Sequence, residues 1–303
     1  MAEMTLEGLR VCREVALLGS FTAAAHSLGY SQPAISRQVA AMEAAVGYSL
    51  FDREPRGVSV TPAGALVAEH AARVLNGVTA LSRDLDGLGD RLAGRVAVGA
   101  FPAAMAALIP HAVAHLAVAH PGLAVTLAEE STPALLRDLR GGRVQVAVVG
   151  VGTGLPNYDF EGLRQHPIPA GDLCVAVPAD HRLAGRRAVP VRELVEEPWI
   201  AGAGSAGDPQ FAAWPTLTDP LIRHRVRSWP ARLGLVATGL GICLLPELAV
   251  ASVPHGVATV AVDDPAWPGR RTVALTAPDP GLAVLAVVAA VRAGAEDLRP
   301  GAT

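Results

Sequence analysis

The sequence predicts an α+β chain in which a small helical domain, one long helix and a larger α/β domain follow one another. Three patterns lead to this fold class. Residues 1–61 combine helical periodicity with a short alternating segment, residues 62–92 carry an apolar seam, and residues 93–303 alternate apolar runs with helical stretches. A chain of 303 residues is also long for a single compact domain. We therefore expect three regions with boundaries near residues 61 and 92.

Composition favours packed domains and gives no overall sign of a nucleic-acid partner. Hydrophobic residues make up 51% of the chain and the mean hydropathy is +0.35, which argues against disorder. The formal net charge is −3, and all 25 basic residues are arginines. Any contact with DNA must therefore come from locally placed arginines.

Cysteine usage and the opening residues favour a cytoplasmic protein without a membrane partner. Cys12, Cys174 and Cys243 lie far apart and form no Cys-x-x-Cys pair, so we expect reduced thiols and no structural zinc. The first residues lack the basic segment and apolar core of a secretory signal. His111 and His115 are four residues apart, but the His-Glu-x-x-His pattern is not matched. We expect neither a metal nor a cofactor.

Three short helices and a β-ribbon are predicted at the start of the chain. Apolar residues recur at helical spacing over residues 6–19 and 21–28. A third helix begins after Ser31, which suits an N-cap, and holds Pro33 in its first turn. The alternating valines within residues 50–61 then predict the ribbon.

The third helix has one apolar and one polar face. Its apolar members are spaced four, three and four residues apart and form one stripe, namely Ile35, Val39, Met42 and Val46. Gln32, Ser36 and Arg37 lie away from that stripe. The polar face is therefore free to meet a polar partner.

A long helix should begin at Thr61-Pro62, with the threonine as N-cap. Apolar residues then recur at steps of three or four over about thirty residues. A heptad-like seam of this kind predicts pairing with a second copy of the chain. The residues expected to form this dimer contact are Leu66, Val74, Val78, Leu81, Leu85 and Leu88.

After Gly94 strands alternate with helices, which is the pattern of βαβ units and a parallel sheet. A first series occupies residues 96–149, and a second begins at Leu173. A strand near residues 272–275 and a helix over residues 282–291 follow. We expect two similar α/β halves, subdomain I from residues 93–163 and 268–303 and subdomain II from residues 164–267.

Four motifs follow one another within residues 21–64. They are the helix-turn-helix core, the run Ser-Gln-Pro-Ala-Ile-Ser-Arg-Gln, the Leu-Phe-Asp-Arg segment and the Thr-Pro-x-Gly helix start. In this order and spacing they resemble the LysR-type transcriptional regulators. The overall plan extends the likeness over nearly the whole chain, including Gly239-Leu240-Gly241-Ile242 before Leu245-Pro246-Glu247.

The resemblance implies a winged helix-turn-helix, a long dimerising linker helix and an effector domain of two subdomains like a periplasmic binding protein. It also implies tetramers assembled from dimers and no catalytic activity. The third helix would then lie in the major groove of double-stranded DNA, where glutamine can pair with adenine and arginine with guanine. The expected DNA-binding residues are Gln32, Pro33, Ser36 and Arg37 on this helix, with Arg53 and Arg56 on the ribbon reaching phosphates.

The charge of the N-terminal region limits what one copy can do. Residues 1–62 contain five arginines against six acids. A single copy should therefore bind DNA weakly, and dimerisation would be needed.

The predicted effector cleft follows from the fold. In open α/β sheets ligands bind at the carboxyl ends of strands, against helix N-termini that favour anions. The expected effector-binding residues are Ala100, Phe101, Pro102, Ser131, Thr132, Gly150, Val151, Gly202, Gly204 and Ser205. The family often offers a hydroxyl at the first of these loops, where this chain has Phe101-Pro102. Ser131 and Thr132 are therefore the better anion candidates, and an organic acid is the expected effector; alternatively, Thr132 only caps its own helix.

Two short patterns in the second half of the chain are compatible with other functions. Residues 202–207 read G-x-G-x-x-G, the dinucleotide fingerprint, but Asp208-Pro209 follows at once and no long helix begins there. Ser205 lies one residue short of a nucleophile elbow, and Asp219 follows too closely for an α/β hydrolase. A small-molecule binding protein whose N-terminal helices only dimerise is the main alternative. We expect a ligand-responsive DNA-binding regulator and not an enzyme.

Overall fold

A computed structural model describes residues 3–54, 57–86, 92–203 and 212–298. The chain divides into two compact units, the first made of residues 1–88 with 140–142 and the second of residues 89–139 and 143–303. We call the first the N-terminal unit and the second the α/β unit.

The N-terminal unit contains four helices and a β-ribbon, as predicted. In chain order these are α1 (Leu6–Leu18), α2 (Phe21–Leu28), α3 (Gln32–Val46), β1 (Phe51–Glu54), β2 (Gly57–Val60) and α4 (Pro62–Asp86). Thr5 and Ser20 cap α1 and α2 through their side chains. Ser31 is the N-cap residue of α3, as predicted, but its side chain makes no capping hydrogen bond. Pro33 in the first turn favours the start of α3 instead.

The core of this unit lies between the first three helices and the ribbon. Val11, Val15, Ile35 and Leu50 are fully buried in it. Helix α4 packs along α1. The predicted apolar stripe of α3 is therefore the face that holds this helix in the unit.

The start of α4 is fixed against the ribbon. The Thr61 hydroxyl accepts a hydrogen bond from the Gly64 N–H at 3.0 Å and donates to the Ser49 carbonyl at 2.8 Å. A Cβ at position 64 would overlap the carbonyl oxygen of Leu50. Only glycine allows this close approach between helix and chain, which explains its place in the Thr-Pro-x-Gly motif.

The α/β unit contains eleven described strands and four described α-helices. In chain order these are β3 (Ala93–Ala100), α5 (Pro102–Ala119), β4 (Gly122–Glu129), α6 (Thr132–Arg140), β5 (Val146–Gly152), β6 (Arg164–Ile168), β7 (Leu173–Pro178), β8 (Ala188–Pro190), β9 (Trp199–Gly202), β10 (Ile222–Val226), α7 (Trp229–Ala237), β11 (Cys243–Pro246), β12 (Val257–Asp263), β13 (Arg270–Thr276) and α8 (Leu282–Asp297). Short 3₁₀ turns cover Val191–Leu194 and Glu247–Ser252.

Two sheets organise this unit into halves. The first half has a five-stranded sheet in the order β4-β3-β5-β13-β6. The second half has a four-stranded sheet in the order β11-β7-β12-β8, beside the parallel pair β9 and β10. The prediction of two α/β halves is confirmed in outline.

The expectation of parallel sheets is only partly right. Strands β3, β4 and β5 are parallel, but β13 runs antiparallel to both β5 and β6, and β7 runs antiparallel to both of its neighbours. The chain leaves the first half and later returns to it, so the returning strand need not share the direction of a βαβ series. Alternation of strands and helices in sequence does not reveal this.

The chain passes to the second half later than expected. Residues 164–168 form β6, which pairs with β13 in the first sheet. They belong to the first half, although the sequence placed them in the second. The crossing segments are therefore residues 169–172 and 264–269.

Helix α5 is long and apolar enough to cross a membrane, judged by length and composition alone. It carries seven buried residues and packs against α8 and the 3₁₀ turn Glu247–Ser252. Its hydrophobic character is that of a core helix in the α/β unit.

Candidate DNA-contact face and effector cleft

The outer face of α3 is polar and open to solvent. Gln32, Pro33 and Arg37 are exposed and Ser36 is half-buried. Ile35, on the opposite face, is fully buried where α3 packs on α1 and α2. The helix is thus held by one face and presents the other, which is the geometry a groove-binding helix needs.

The ribbon beside α3 is described only in part. Arg53 pairs with Val58 through the backbone of β1 and β2. The side chain of Arg53 and the whole of Arg56 lie outside the described residues. Their phosphate contacts stay a prediction from the sequence.

Two exposed tyrosines adjoin α3 and were not singled out from the sequence. Tyr30 lies two residues before the helix start and is 47% exposed, and Tyr48 lies two residues after the helix end and is 70% exposed. A hydrogen bond to Glu7 raises the pKa of the Tyr30 phenol. Aromatic residues in the turns that flank an otherwise polar helix are the signal that identifies them.

Helix α4 presents an apolar row to solvent in the single chain. Leu66, Val74, Val78 and Leu81 are between 40% and 59% exposed. The side chain of Leu85 and the whole of Leu88 lie outside the described residues. An exposed apolar row of this length is typical of a helix that pairs with a second copy.

A cleft lies between the two halves of the α/β unit. It encloses about 840 Å³ of space free of protein atoms, including open solvent at its mouth. Phe101, Thr132 and Leu155 line one wall, beyond the ends of β3, β4 and β5, while Trp229 and Pro246 line the other. The cleft is therefore at the carboxyl ends of three parallel strands, where open α/β sheets bind ligands.

The structure brings part of the predicted effector site together. Five predicted residues line the cleft, namely Phe101, Pro102, Ser131, Thr132 and Gly150. Ala100, Val151 and Gly202 are buried within strands and are not among its lining residues. Gly204 and Ser205 lie outside the described residues. The other residues that line the cleft were not predicted from the sequence, namely Ala103, Leu155, Tyr158, Gly171, Asp172, Leu173, Arg227, Trp229, Arg232, Pro246, Arg270, Arg271 and Thr272.

Three helices begin at the cleft. The first residues of α5, α6 and α7 are Pro102, Thr132 and Trp229, and all three line it. The Ser131 carbonyl accepts the hydrogen bond of the Leu135 N–H at 2.9 Å, so Ser131 takes the cap position and Thr132 the first helical one. The alternative that Thr132 acts as the N-cap does not match this helix start. Helix N-termini carry partial positive charge and favour anions.

Arginines give the cleft a positive charge. Its described lining residues include four arginines and one acid, Asp172. Arg227 and Arg271 are exposed. The Arg270 Nε donates to the Thr153 carbonyl at 2.9 Å, so this side chain is held by the loop after β5. The balance of charge favours an anionic ligand.

Arg232 differs from the other three because it is buried. Its exposed fraction is 1%, and Nε and Nη1 have no hydrogen-bond partner within the described part of the chain. The Cζ atom lies 5.2 Å from the centroid of the Trp229 ring. Burial lowers the pKa of this guanidinium, but an arginine side chain stays charged at neutral pH.

The carboxylate of Asp172 is already engaged. Oδ1 accepts from the N–H groups of Leu173 at 2.8 Å and Arg270 at 2.9 Å, and Oδ2 accepts from the Trp267 indole at 3.0 Å. Glu247 accepts from the Asp172 N–H at 3.0 Å. Asp172 therefore serves the crossing segments and does not neutralise the arginines of the cleft.

All three cysteines are buried free thiols. Burial raises the pKa of Cys12 and of Cys243 to about 12, and raises that of Cys174 as well. A thiol is reactive as the thiolate. The buried environment therefore keeps these thiols in the unreactive form.

Two family models match the chain in order. The model of the bacterial regulatory helix-turn-helix protein, lysR family, matches residues 6–65, and that of the LysR substrate binding domain matches residues 89–296. A probable hydrogen peroxide-inducible genes activator of Mycobacterium avium is 32% identical over 81% of this chain and 79% of its own length. One of the same description from Streptomyces viridosporus is 32% identical over 88% of this chain and 86% of its own.

Solved structures of full-length regulators share the fold. A full-length OxyR variant from Pseudomonas aeruginosa matches with a TM-score of 0.72 at 22% identity, over 96% of this chain and 95% of that chain. The oxidised form of Corynebacterium glutamicum OxyR matches with a TM-score of 0.54 at 25% identity, over 97% and 93%. Together with the two family models, this similarity leads to one conclusion. This chain belongs to the LysR-type transcriptional regulators, which bind DNA through the helix-turn-helix and respond to a small molecule held between two α/β subdomains.

Proposed function

We propose that this chain is a cytoplasmic homo-oligomeric regulator, a dimer or a tetramer, that binds promoter or operator DNA and responds to a compact organic acid without catalysing a reaction. The positive charge of the cleft is the observation from which we infer the chemical class of the effector. Four arginines and three helix N-termini line it, and its one described carboxylate is already hydrogen-bonded. An anion is the ligand that such a site favours.

The polar face of α3 supports the DNA part of the proposal. Gln32 and Arg37 are exposed on this face and Ser36 is half-buried, with Pro33 at the helix start, and we expect these residues to meet base edges. Arg53 and Arg56 on the ribbon would contact phosphates. The N-terminal region is not basic overall, so two linked copies are required for firm binding.

The apolar row of α4 supports the assembly. Leu66, Val74, Val78 and Leu81 are exposed in the single chain, and Leu85 and Leu88 continue the spacing. Pairing of two α4 helices along this row would cover it and link two DNA-binding units.

The residues that line the walls of the cleft indicate the chemistry of the rest of the effector. Phe101, Leu155, Trp229 and Pro246 supply apolar or aromatic surface. Within the described residues the hydroxyls of Ser131 and Thr132 make no hydrogen bond, and both residues line the cleft. We propose an acid with an apolar or aromatic body and one polar end near Ser131-Thr132.

Relatives are named for induction by hydrogen peroxide. In this chain the three thiols are buried and their pKa values are raised, which disfavours reaction with an oxidant. We therefore propose a bound anion as the signal, and not oxidation of a thiol.

Two experiments test this function. A gel shift at stated salt, with the full chain and the DNA upstream of its own gene, should show specific binding; binding no tighter than to unrelated DNA would favour the alternative of a small-molecule binding protein. A thermal-shift screen of organic acids should find stabilisers. Thr132→Val keeps the helix start and removes the hydroxyl, so it should abolish that stabilisation; equal affinity in calorimetry would exclude this anchor.

A further inference from the structure

A charged residue occupies the buried face of α7. Arg232 is buried together with Leu233 and Val236, the positions that attach this helix to its sheet. An unpaired charge in such a place is costly. A side chain of similar length without charge would fill the same space without that cost, so the packing of α7 does not explain the arginine.

The protein compensates this charge only weakly. The Trp229 ring, 5.2 Å from Cζ, offers a cation–π contact. The Cys243 thiol interacts with the guanidinium, but burial raises its pKa to about 12, so it is neutral at physiological pH. Asp172, the one acid among the described lining residues, already accepts hydrogen bonds from the N–H groups of Leu173 and Arg270. Nε and Nη1 of Arg232 thus face no protein acceptor within the described residues.

We propose that Arg232 is the charged anchor of the effector and binds its carboxylate from the floor of the cleft. This inference rests on the proposed function and adds the residue that selects the acid. The guanidinium fork matches a carboxylate in shape and charge. The carboxylate is then the end of the effector that Arg232 holds, and the polar end near Ser131-Thr132 is a second polar group. The body of the acid would lie against Trp229 and Pro246, which line the same wall as Arg232.

The buried position of Arg232 should also let the cleft distinguish a carboxylic acid from a neutral analogue. Arg227 lines the cleft as well, but it is exposed, so water screens its charge. The charge of Arg232 acts at low dielectric, where a charged hydrogen bond is stronger. An amide of the same shape as the acid offers one neutral acceptor and no charge to the arginine, so it should bind much more weakly.

The test uses the full chain with benzoate and benzamide as probes. Chloride is added to the benzamide samples so that their ionic strength equals that of the benzoate samples. We expect benzoate to raise the Tm of the wild type and benzamide to change it little. Arg232→Met should bind benzoate about ten- to hundredfold more weakly by calorimetry. Arg223→Met is the matched control, since it removes an exposed arginine of β10 that is not among the lining residues of the cleft, and it should respond like the wild type.

A second readout separates an anchor from a merely structural residue. Because Arg232→Met removes an unpaired buried charge, its Tm without any probe should be higher than that of the wild type. An undiminished benzoate response in Arg232→Met, or no response in the wild type, overturns the proposal. If Arg232→Met does not fold, nuclear magnetic resonance of the wild type is the test. The Nε–H resonance of Arg232 is assigned as the one that is missing from the spectrum of Arg232→Lys. It must shift when benzoate is added and must not shift with benzamide. DNA binding measured without probes on the same preparations tests the proposed function independently.

Discussion

The N–H of Arg270 donates a hydrogen bond of 2.9 Å to Oδ1 of Asp172, and this bond joins the two segments that cross between the α/β halves. Asp172 ends the first crossing, directly before β7, and Arg270 begins β13 after the second. The same carboxylate accepts from the Trp267 indole at 3.0 Å. One side chain therefore fixes both crossings beside the cleft.

Asp172→Asn should destabilise the α/β unit by about 1–3 kcal/mol, because the amide nitrogen replaces an acceptor and leaves a partner N–H unsatisfied. All four tryptophans lie beyond residue 88, so tryptophan fluorescence in urea follows this unit alone. Asp180→Asn changes an exposed acid and should leave the midpoint unchanged. Equal midpoints for the two variants would contradict the role given to Asp172.

Gly64→Ala should destabilise the N-terminal unit by about 1–3 kcal/mol, because the new Cβ meets backbone that cannot move aside cheaply. Gly77→Ala on the same helix is the control. Nothing lies within 4 Å of its added Cβ, so the substitution should stabilise by about 0.5–1 kcal/mol. The loss of helix content on heating measures the stability of both variants. A Gly64→Ala protein as stable as Gly77→Ala would refute the close approach between Gly64 and the Leu50 carbonyl.

Leu81→Asp should convert the oligomer to a smaller species, because it places a charge in the apolar row of α4. Operator binding should fall with it, since two half-sites need two linked domains. Arg73→Asp introduces the same side chain at an exposed position of α4 outside the row. Sedimentation velocity distinguishes them, and wild-type behaviour of Leu81→Asp would exclude this seam.

The three thiols should resist modification in the folded protein. Burial raises the pKa of Cys12 and Cys243 to about 12, so the thiolate is scarce at neutral pH. The folded protein favours the neutral thiol, and this preference contributes to the free energy of unfolding. The contribution is fully present below about 8.5, the pKa of a cysteine in the unfolded chain, and is lost as the pH rises above that value. Mass spectrometry after iodoacetamide should find three modified cysteines in urea. A cysteine modified under native conditions would weaken the case against an oxidant signal.

The N-terminal unit could be predicted almost completely because its signals are local. The helical spacing of apolar residues and the Thr-Pro-x-Gly start each lie within a few residues of the feature they determine. Ser31 takes the predicted N-cap position, but its hydroxyl makes no capping hydrogen bond, because a serine can hold this position without bonding to the first turn. Pro33 supplies the start in any case.

The cleft could be predicted only where loops follow strands in the chain. Phe101 and Thr132 satisfy that rule, whereas Arg270 and Thr272 reach the cleft through the antiparallel return of β13. Arg232 could have been noticed from sequence, since it shares helical spacing with Leu233 and Val236 on an apolar face. A charge on such a face is a local conflict, and local conflicts mark functional sites.

The central claim is that α3 reads DNA, and a titration of full chain on the DNA upstream of its own gene tests it most directly. Gln32→Ala should cost about 1–3 kcal/mol on the specific site and relax the base preference there. Arg53→Ala should instead weaken binding to all sequences and flatten the salt dependence. If Gln32→Ala bound the specific site as tightly as the wild type at the same salt, α3 would not be the helix that reads the bases.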